Sequence, residues 1–302
     1  MRPLELTPGF YRGCAAPGRR MDDELLNFFN ETPGRRLRAL CPAGVRVQFV
    51  TDARELGFSL VFGGAARPVY TTDLEIGDRM FTFDGPGPHR AALPEGENVV
   101  TLHLPHLVEV PELRIRLSDG ASARPAPPPE KRLLFCGDSI MQGMVTTSPA
   151  RAFPAIVAKR LNMDFLNTSV GGARLAPEHV RLTARLGGDI LIVALGVNDA
   201  GSHTPLDAFR AAAKEALAEL AAFPGGKYLV LPIPNVSGST PTLPDYRAIL
   251  QECAAVQSSV TVLDGYDFFP ADPSYYADGI HPNDRGSQIF ADELVKVLRK
   301  EE

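Results

Sequence analysis

Tryptophan is absent from the 302 residues, so stacking against a ring-shaped ligand would fall to tyrosine or phenylalanine. Lysine is missing from the first 130 positions, Lys131 being the first. Cysteine is sparse. Cys14, Cys41, Cys136 and Cys253 stand far apart, without metal-ligand spacing and too few for a disulfide scaffold, and read as ordinary thiols. No apolar run approaches the length of a membrane span, and no block of one charge sign exists; the net charge of −5 is dispersed. These absences argue against nucleic acid and membrane as partners and leave a small-molecule or glycan ligand. The opening MRPLELTPGFYRG lacks the charged and apolar regions of a secretory leader, so the cytoplasm is the expected location. With 44% hydrophobic and 22% charged residues the chain is ordinarily globular, and its length favours two domains.

Two patterns divide it. From about Leu37 to Ser118 the apolar runs are short and alternating (RVQFVTD, LGFSLVFGG, MFTFDG, NVVTLHL, LRIRLSDG), and Gly, Pro and Asp punctuate them. This predicts antiparallel strands in a β-sandwich, jelly-roll-like, over residues 1–118, with one helix ahead of it at Met21–Asn30. DGASARPAPPPEK, residues 119–131, reads as a stiff linker because Pro127, Pro128 and Pro129 cannot donate to a sheet. Over residues 132–302, near-continuous apolar strands (RLLFCG, DFLNTSV, DILIVALGV, KYLVLPI, VTVLDG) alternate with helical patterns at Pro154–Leu161, Pro177–Leu186, Leu206–Phe223, Pro244–Val256 and Asp284–Arg299. In the third, Leu206, Phe209, Ala213, Leu217 and Leu220 share a face; in the last, Ile289, Phe290, Leu294, Val297 and Leu298 do. Parallel strands need crossovers, so this half is an α/β domain with a five-stranded, doubly wound parallel sheet.

Ligands of such a sheet bind at the carboxyl ends of its strands. Gly137-Asp138-Ser139 follows the first strand, Ser169-Val170-Gly171-Gly172 the second, Gly196-Val197-Asn198-Asp199 the third, and Asp278-Gly279-Ile280-His281-Pro282 the fifth. Each alone is turn or capping material. Together they supply the four parts of an acyl-transfer site. Ser139 is the candidate nucleophile. His281 is the base that takes its proton, and Asp278, three residues earlier, orients the imidazole. The backbone N–H groups of Ser139 and Gly172 and the side-chain amide of Asn198 are candidate oxyanion donors. Asp199 is given a structural role, and Asp138 and Arg174 are candidates for contact with substrate. The rival base is His203, four residues past Asp199 but without a carboxylate orienter. His103 and His106 fit surface or core positions better than metal ligation, His89 fits a loop, and His179 a helix surface. The proline-rich stretch Pro232–Pro244 would form one wall.

GDSI, SVGG, GVND and DGIHP resemble the four signature blocks of the SGNH, or GDSL, hydrolase family, whose namesake residues match Ser139, Gly172, Asn198 and His281. Gly172 is preferred to Gly171 because Asn167 and Ser169 fit the family's N-x-S-x-x-G. The resemblance covers Lys131 to Arg299. It implies a flavodoxin-like αβα domain that hydrolyses esters through a serine acyl-enzyme, with no metal or other cofactor. A β-rich half ahead of such a domain is similar to the arrangement of carbohydrate esterase family 2 and related bacterial sugar deacetylases. The expected function is hydrolysis of short-chain, mainly acetyl, esters of a carbohydrate or other polar alcohol. Alternatives on the same residues are an acyltransferase, a lysophospholipase, a thioesterase, or a glycan-binding protein that has lost catalysis; homo-oligomerisation is left open. The elbow G-x-S-x-G of α/β-hydrolases is missing, since position 141 is Met.

Overall fold

The computed structural model describes residues 1–301. Its second half is built on five parallel strands, which take numbers after the ten that precede them. The first ten are β1 (Arg2–Leu4), β2 (Tyr11–Arg12), β3 (Arg46–Thr51), β4 (Glu55–Val61), β5 (Thr71–Ile76), β6 (Arg79–Asp84), β7 (His89–Ala92), β8 (Asn98–His103), β9 (Glu112–Leu117) and β10 (Ala123–Pro125). The parallel strands are β11 (Arg132–Gly137), β12 (Asp164–Asn167), β13 (Ile190–Ala194), β14 (Gly226–Val230) and β15 (Thr261–Leu263), in the spatial order β12-β11-β13-β14-β15. This is the flavodoxin-like order, with its switch point beside β11. Period-2 alternation sends Leu134 and Cys136 into one core and Leu133 and Phe135 into the other, so the sheet is buried on both faces.

The helices are α1 (Asp23–Phe28), α2 (Pro33–Leu40), α3 (Ser139–Gln142), α4 (Phe153–Leu161), α5 (Pro177–Ala184), α6 (Val197–Gly201), α7 (Leu206–Ala222), α8 (Leu243–Ala254), α9 (Gly265–Phe268) and α10 (Asp284–Leu298). The five helices expected in this half are present within a few residues of the predicted ends. Leu206, assigned to the buried stripe of α7, is exposed at the helix start, and Ala216 is buried in the stripe instead. Among the described residues no helix is long and apolar enough to cross a membrane.

The first half forms two antiparallel sheets, β1-β9-β4-β7 and β10-β3-β8-β5-β6 with β2 beside β3, packed face to face over Val47, Phe49, Leu56, Phe58, Leu74, Val100, Leu102 and Ile115. Three features were not expected. The predicted single helix at Met21–Asn30 is α1 with a 3-10 turn (Phe29–Glu31), and α2 follows where strands had been expected to begin. Met21, Leu25, Leu26, Phe29 and Ala39 from this segment join the core of the parallel sheet, not that of the sandwich. Finally, the proline-rich stretch carries β10, which pairs with β3 at the sheet edge, where a proline without a donor is tolerated.

A buried ion pair joins the halves. Arg46, on β3, donates to Asp164 of β12 at 2.5 Å and lies 4.0 Å from the centre of the Phe165 ring. Arg132 reaches the other carboxylate oxygen at 3.3 Å. Truncating Arg46 leaves the buried Asp164 with only the longer contact to the more exposed Arg132. Arg46→Ala is therefore expected to cost about 3 kcal/mol, the low end for a broken buried pair, read as a drop in the denaturation midpoint. A loss near zero would mean that solvent reaches the pair.

Candidate active site

The strand β11 ends at Gly137, where a Cβ would come within 2.8 Å of Met141 and 3.0 Å of the Ala194 carbonyl; only glycine fits there. Asp138 then caps α3, its carboxylate accepting from the Ile140 N–H at 2.9 Å. Ser139 is thus the first residue of a single helical turn, at the sheet's carboxyl edge. Its side chain is nearly buried, and the hydroxyl lies 2.8 Å from Nε2 of His281. On the far side of the ring, Nδ1 of His281 lies 2.7 Å from Oδ2 of Asp278.

The loop presenting His281 is fixed from within. Oδ1 of Asp278 accepts from the N–H groups of Ile280 (3.1 Å) and His281 (2.9 Å), and the Ala277 N–H closes on the His281 carbonyl at 2.9 Å. Burial would push the Asp278 carboxyl up, but these bonds and the imidazole outweigh it and hold the carboxyl below its usual range. The Pro232–Pro244 stretch braces the loop from outside, Val236 and Ser237 donating to the Gly279 carbonyl at 2.9 and 3.1 Å. Asn283, next in the chain, caps α10.

At the other strand ends, Asn198 spends one amide hydrogen on the Ala173 carbonyl (2.9 Å), which leaves its second for a ligand. The Gly171 N–H is taken by the side chain of Gln142 at 2.7 Å, whereas no acceptor is recorded for the Gly172 N–H among the described residues. Gly172 has φ +82°, a conformation that favours glycine. Asn167 ties the same loop down, donating to the Met141 carbonyl and accepting from the Ser169 N–H.

Asp199 is buried, accepting from the Leu175 N–H at 2.9 Å; burial pushes its carboxyl up to about 6. Asp138, expected to touch substrate, is instead buried with its carboxylate committed to the cap. It borders a small cavity of about 20 Å³ lined also by Ile140, Met141, Ala194, Val230 and Phe290. Arg174 is exposed, on a cleft of about 150 Å³ with Phe28, Phe29, Glu31 and Arg35. His179, expected on a helix surface, is buried between Phe28 and Phe29, where burial lowers it to about 4. His106 is buried as well, against the Gly143 carbonyl and the Thr146 hydroxyl.

Burial, reinforced by the Asp199 charge and opposed by the Ile140 N–H, pushes Asp138 up to about 7. A carboxyl raised on folding contributes stability fully below its unfolded value, ~3.9, and loses that contribution as the pH rises through about 7. Between pH 4 and 8 the wild type should therefore lose stability relative to Asp138→Asn, by on the order of a few kcal/mol. Denaturant midpoints of the two proteins across that range read this directly. A difference that does not change with pH would show the carboxyl ionised throughout.

Residues that the sequence reading missed lie in the helical segment between β2 and β3. The buried Arg20 donates to the carbonyls of Ser169 (2.7 Å) and Arg38 (2.6 Å), and Arg35 and Arg38 donate to those of Gly172 (3.1 Å) and Gly171 (3.2 Å). Sandwich residues also hold the loop after α3: Thr71 donates to the Thr147 carbonyl at 2.9 Å, and Asp73 accepts from the Ala150 N–H at 2.8 Å.

A serine, imidazole and carboxylate in one hydrogen-bonded line, at the edge of a flavodoxin-like sheet, have the arrangement that acyl transfer requires. The chain belongs to the GDSL-like lipase/acylhydrolase family, whose model matches residues 135–289, and the family match makes the protein a carboxylic ester hydrolase. Solved structures share the fold. A GDSL-like lipase from Bacteroides ovatus is 17% identical, with a TM-score of 0.81 over 99% of this chain and 98% of that one. A salicylyl-acyltransferase from a tetracycline biosynthetic pathway is 21% identical, with a TM-score of 0.77 over 99% and 97%. A family two carbohydrate esterase from Clostridium thermocellum, in complex with cellohexaose, is 17% identical, with a TM-score of 0.65 over 86% and 93%. No curated protein matches the sequence.

Proposed function

We propose that the protein is a serine esterase that removes a short acyl group, acetyl above all, from a carbohydrate or similar polar alcohol. The observation that carries the proposal is the line from Ser139 through His281 to Asp278, at 2.8 and 2.7 Å. In this reading Nε2 of His281 takes the hydroxyl proton as Ser139 attacks the ester carbon, and Asp278 stabilises the imidazolium that results. The oxygen of the tetrahedral intermediate receives hydrogen bonds from the N–H groups of Ser139 and Gly172 and from the Asn198 amide. The imidazolium returns its proton to the leaving alcohol, and water, activated by the same imidazole, releases the acid from the acyl-enzyme.

The preference for a short acyl group is supported by the fold shared with an acetyl xylan esterase from Butyrivibrio proteoclasticus. The carbohydrate alcohol is supported by the fold shared with an esterase seen with cellohexaose. The test is a series of 4-nitrophenyl esters together with acetylated xylo- or cello-oligosaccharides. The acetyl ester should exceed the octanoyl ester at least tenfold in kcat/KM, and acetate should be released from the sugars. A preference for octanoyl or longer chains would overturn the short-acyl reading.

A further inference from the structure

The peptide joining Gly171 to Gly172 is gripped from outside the hydrolase half. Because a peptide is planar and trans, its carbonyl and its N–H point in opposite directions. Fixing the Gly171 carbonyl therefore aims the Gly172 N–H. The side chain that holds this carbonyl is Arg38, near the end of α2, with Nη1 at 3.2 Å. The neighbouring peptides leave no slack: the Gly171 N–H is bound by Gln142 at 2.7 Å, and the Gly172 carbonyl accepts from Nε of Arg35 at 3.1 Å.

We infer that Arg38 is a positioning residue for acyl transfer: by holding the Gly171 carbonyl it turns the Gly172 N–H toward the oxyanion. The inference rests on the proposed serine-esterase reading and deepens it, because it makes the helical segment between β2 and β3 part of the working site. Arg38 is itself held on both sides, its backbone carbonyl accepting from Arg20 at 2.6 Å and from Nε2 of Gln142 at 2.9 Å. Gln142 thus ties the end of α2 to α3, directly behind Ser139. The guanidinium lies tight against Gly172, with Nη1 only 3.3 Å from where a Cβ would stand. Among the described residues no carboxylate pairs with Arg38, although most arginines of the chain have such a partner, and burial together with the charges of Arg67 and Arg35 lowers its pKa. A cation kept without a carboxylate partner polarises the peptide whose carbonyl it holds, which strengthens the Gly172 N–H as a donor on the opposite side.

The test compares Arg38→Ala, Arg38→Lys and, as a control on the same helix, Arg36→Ala, using an acetyl ester. Removing an oxyanion donor lowers the rate by ~10²–10³, and misaiming one should cost less. Arg38→Ala is expected to lower kcat roughly 10- to 100-fold while KM stays within about twofold and the melting temperature is unchanged. Millimolar guanidinium should restore part of the lost kcat in Arg38→Ala without raising that of wild type or Arg36→Ala, and Arg38→Lys should fall between. Wild-type kcat in Arg38→Ala, or a loss that tracks melting temperature and is not relieved by guanidinium, overturns the inference. If Arg38→Ala does not fold, a lower kcat at constant KM in Arg38→Lys supports it and an unchanged kcat overturns it. Ser139→Ala run alongside separates the two claims. If that variant is inactive and Arg38→Ala keeps wild-type kcat, the inference alone fails; if Ser139→Ala keeps full activity, the esterase reading itself falls.

Discussion

Ser139→Ala is expected to lower kcat for an acetyl ester by about 10⁴-fold or more, and His281→Ala by a similar factor. The size follows from interdependence. Without the imidazole at 2.8 Å the hydroxyl keeps its proton as it attacks, and without the hydroxyl the imidazole has nothing to activate. The double variant should accordingly be no slower than either single one, because the two groups act as a unit. Asp278→Asn should cost less, ~10²–10⁴-fold. Its amide can still accept from the Ile280 and His281 N–H groups but cannot stabilise the imidazolium, and its side chain is 45% exposed, so water compensates in part. Steady-state kinetics on the four proteins decide it. Multiplying losses in the double variant would show that the two residues act independently.

The second large effect concerns the oxyanion donors. Asn198→Ala removes a side-chain donor and should lower kcat by ~10²–10³ with little change in KM, since the charge it meets exists only in the transition state. Gly172→Ala should be comparable for a different reason. The backbone there has φ +82°, and the new methyl would press on Nη1 of Arg38 at 3.3 Å, so the peptide must turn away. Asn198→Asp is the sharper variant, because a carboxylate would face the developing negative charge and its rate should fall below that of the alanine variant. A gain in KM with kcat unchanged would show instead that these groups bind ground-state substrate.

How far the sequence alone reached depended on the range of the forces involved. The parallel sheet and its five helices were legible because the strands are near-continuous apolar runs and the long helices carry a stripe of period 3.6, both local patterns. The line of Ser139, His281 and Asp278 was legible because the topology sends every strand's carboxyl end to one edge, so residues up to 142 positions apart had one place to meet. Short strands such as β5 and β7 were passed over: TTDLEI opens on three polar residues and HRAA holds no large apolar one, so both make sense only beside their partners. Asp138 was misread because a carboxylate next to a nucleophile fits a substrate contact and a helix cap equally well in sequence; only burial separates the two. Arg20, Arg35 and Arg38 could not be found at all. Each bonds to main-chain carbonyls more than 130 residues away, and a carbonyl carries no mark of residue type.

The central claim is that the Ser139 hydroxyl is made nucleophilic by His281. The most direct measurement is reaction with a fluorophosphonate, followed by peptide mass analysis. The account expects one adduct per chain, on Ser139, formed at least a hundredfold more slowly in His281→Ala. An adduct on another residue, or equal rates of labelling with and without the imidazole, would contradict it.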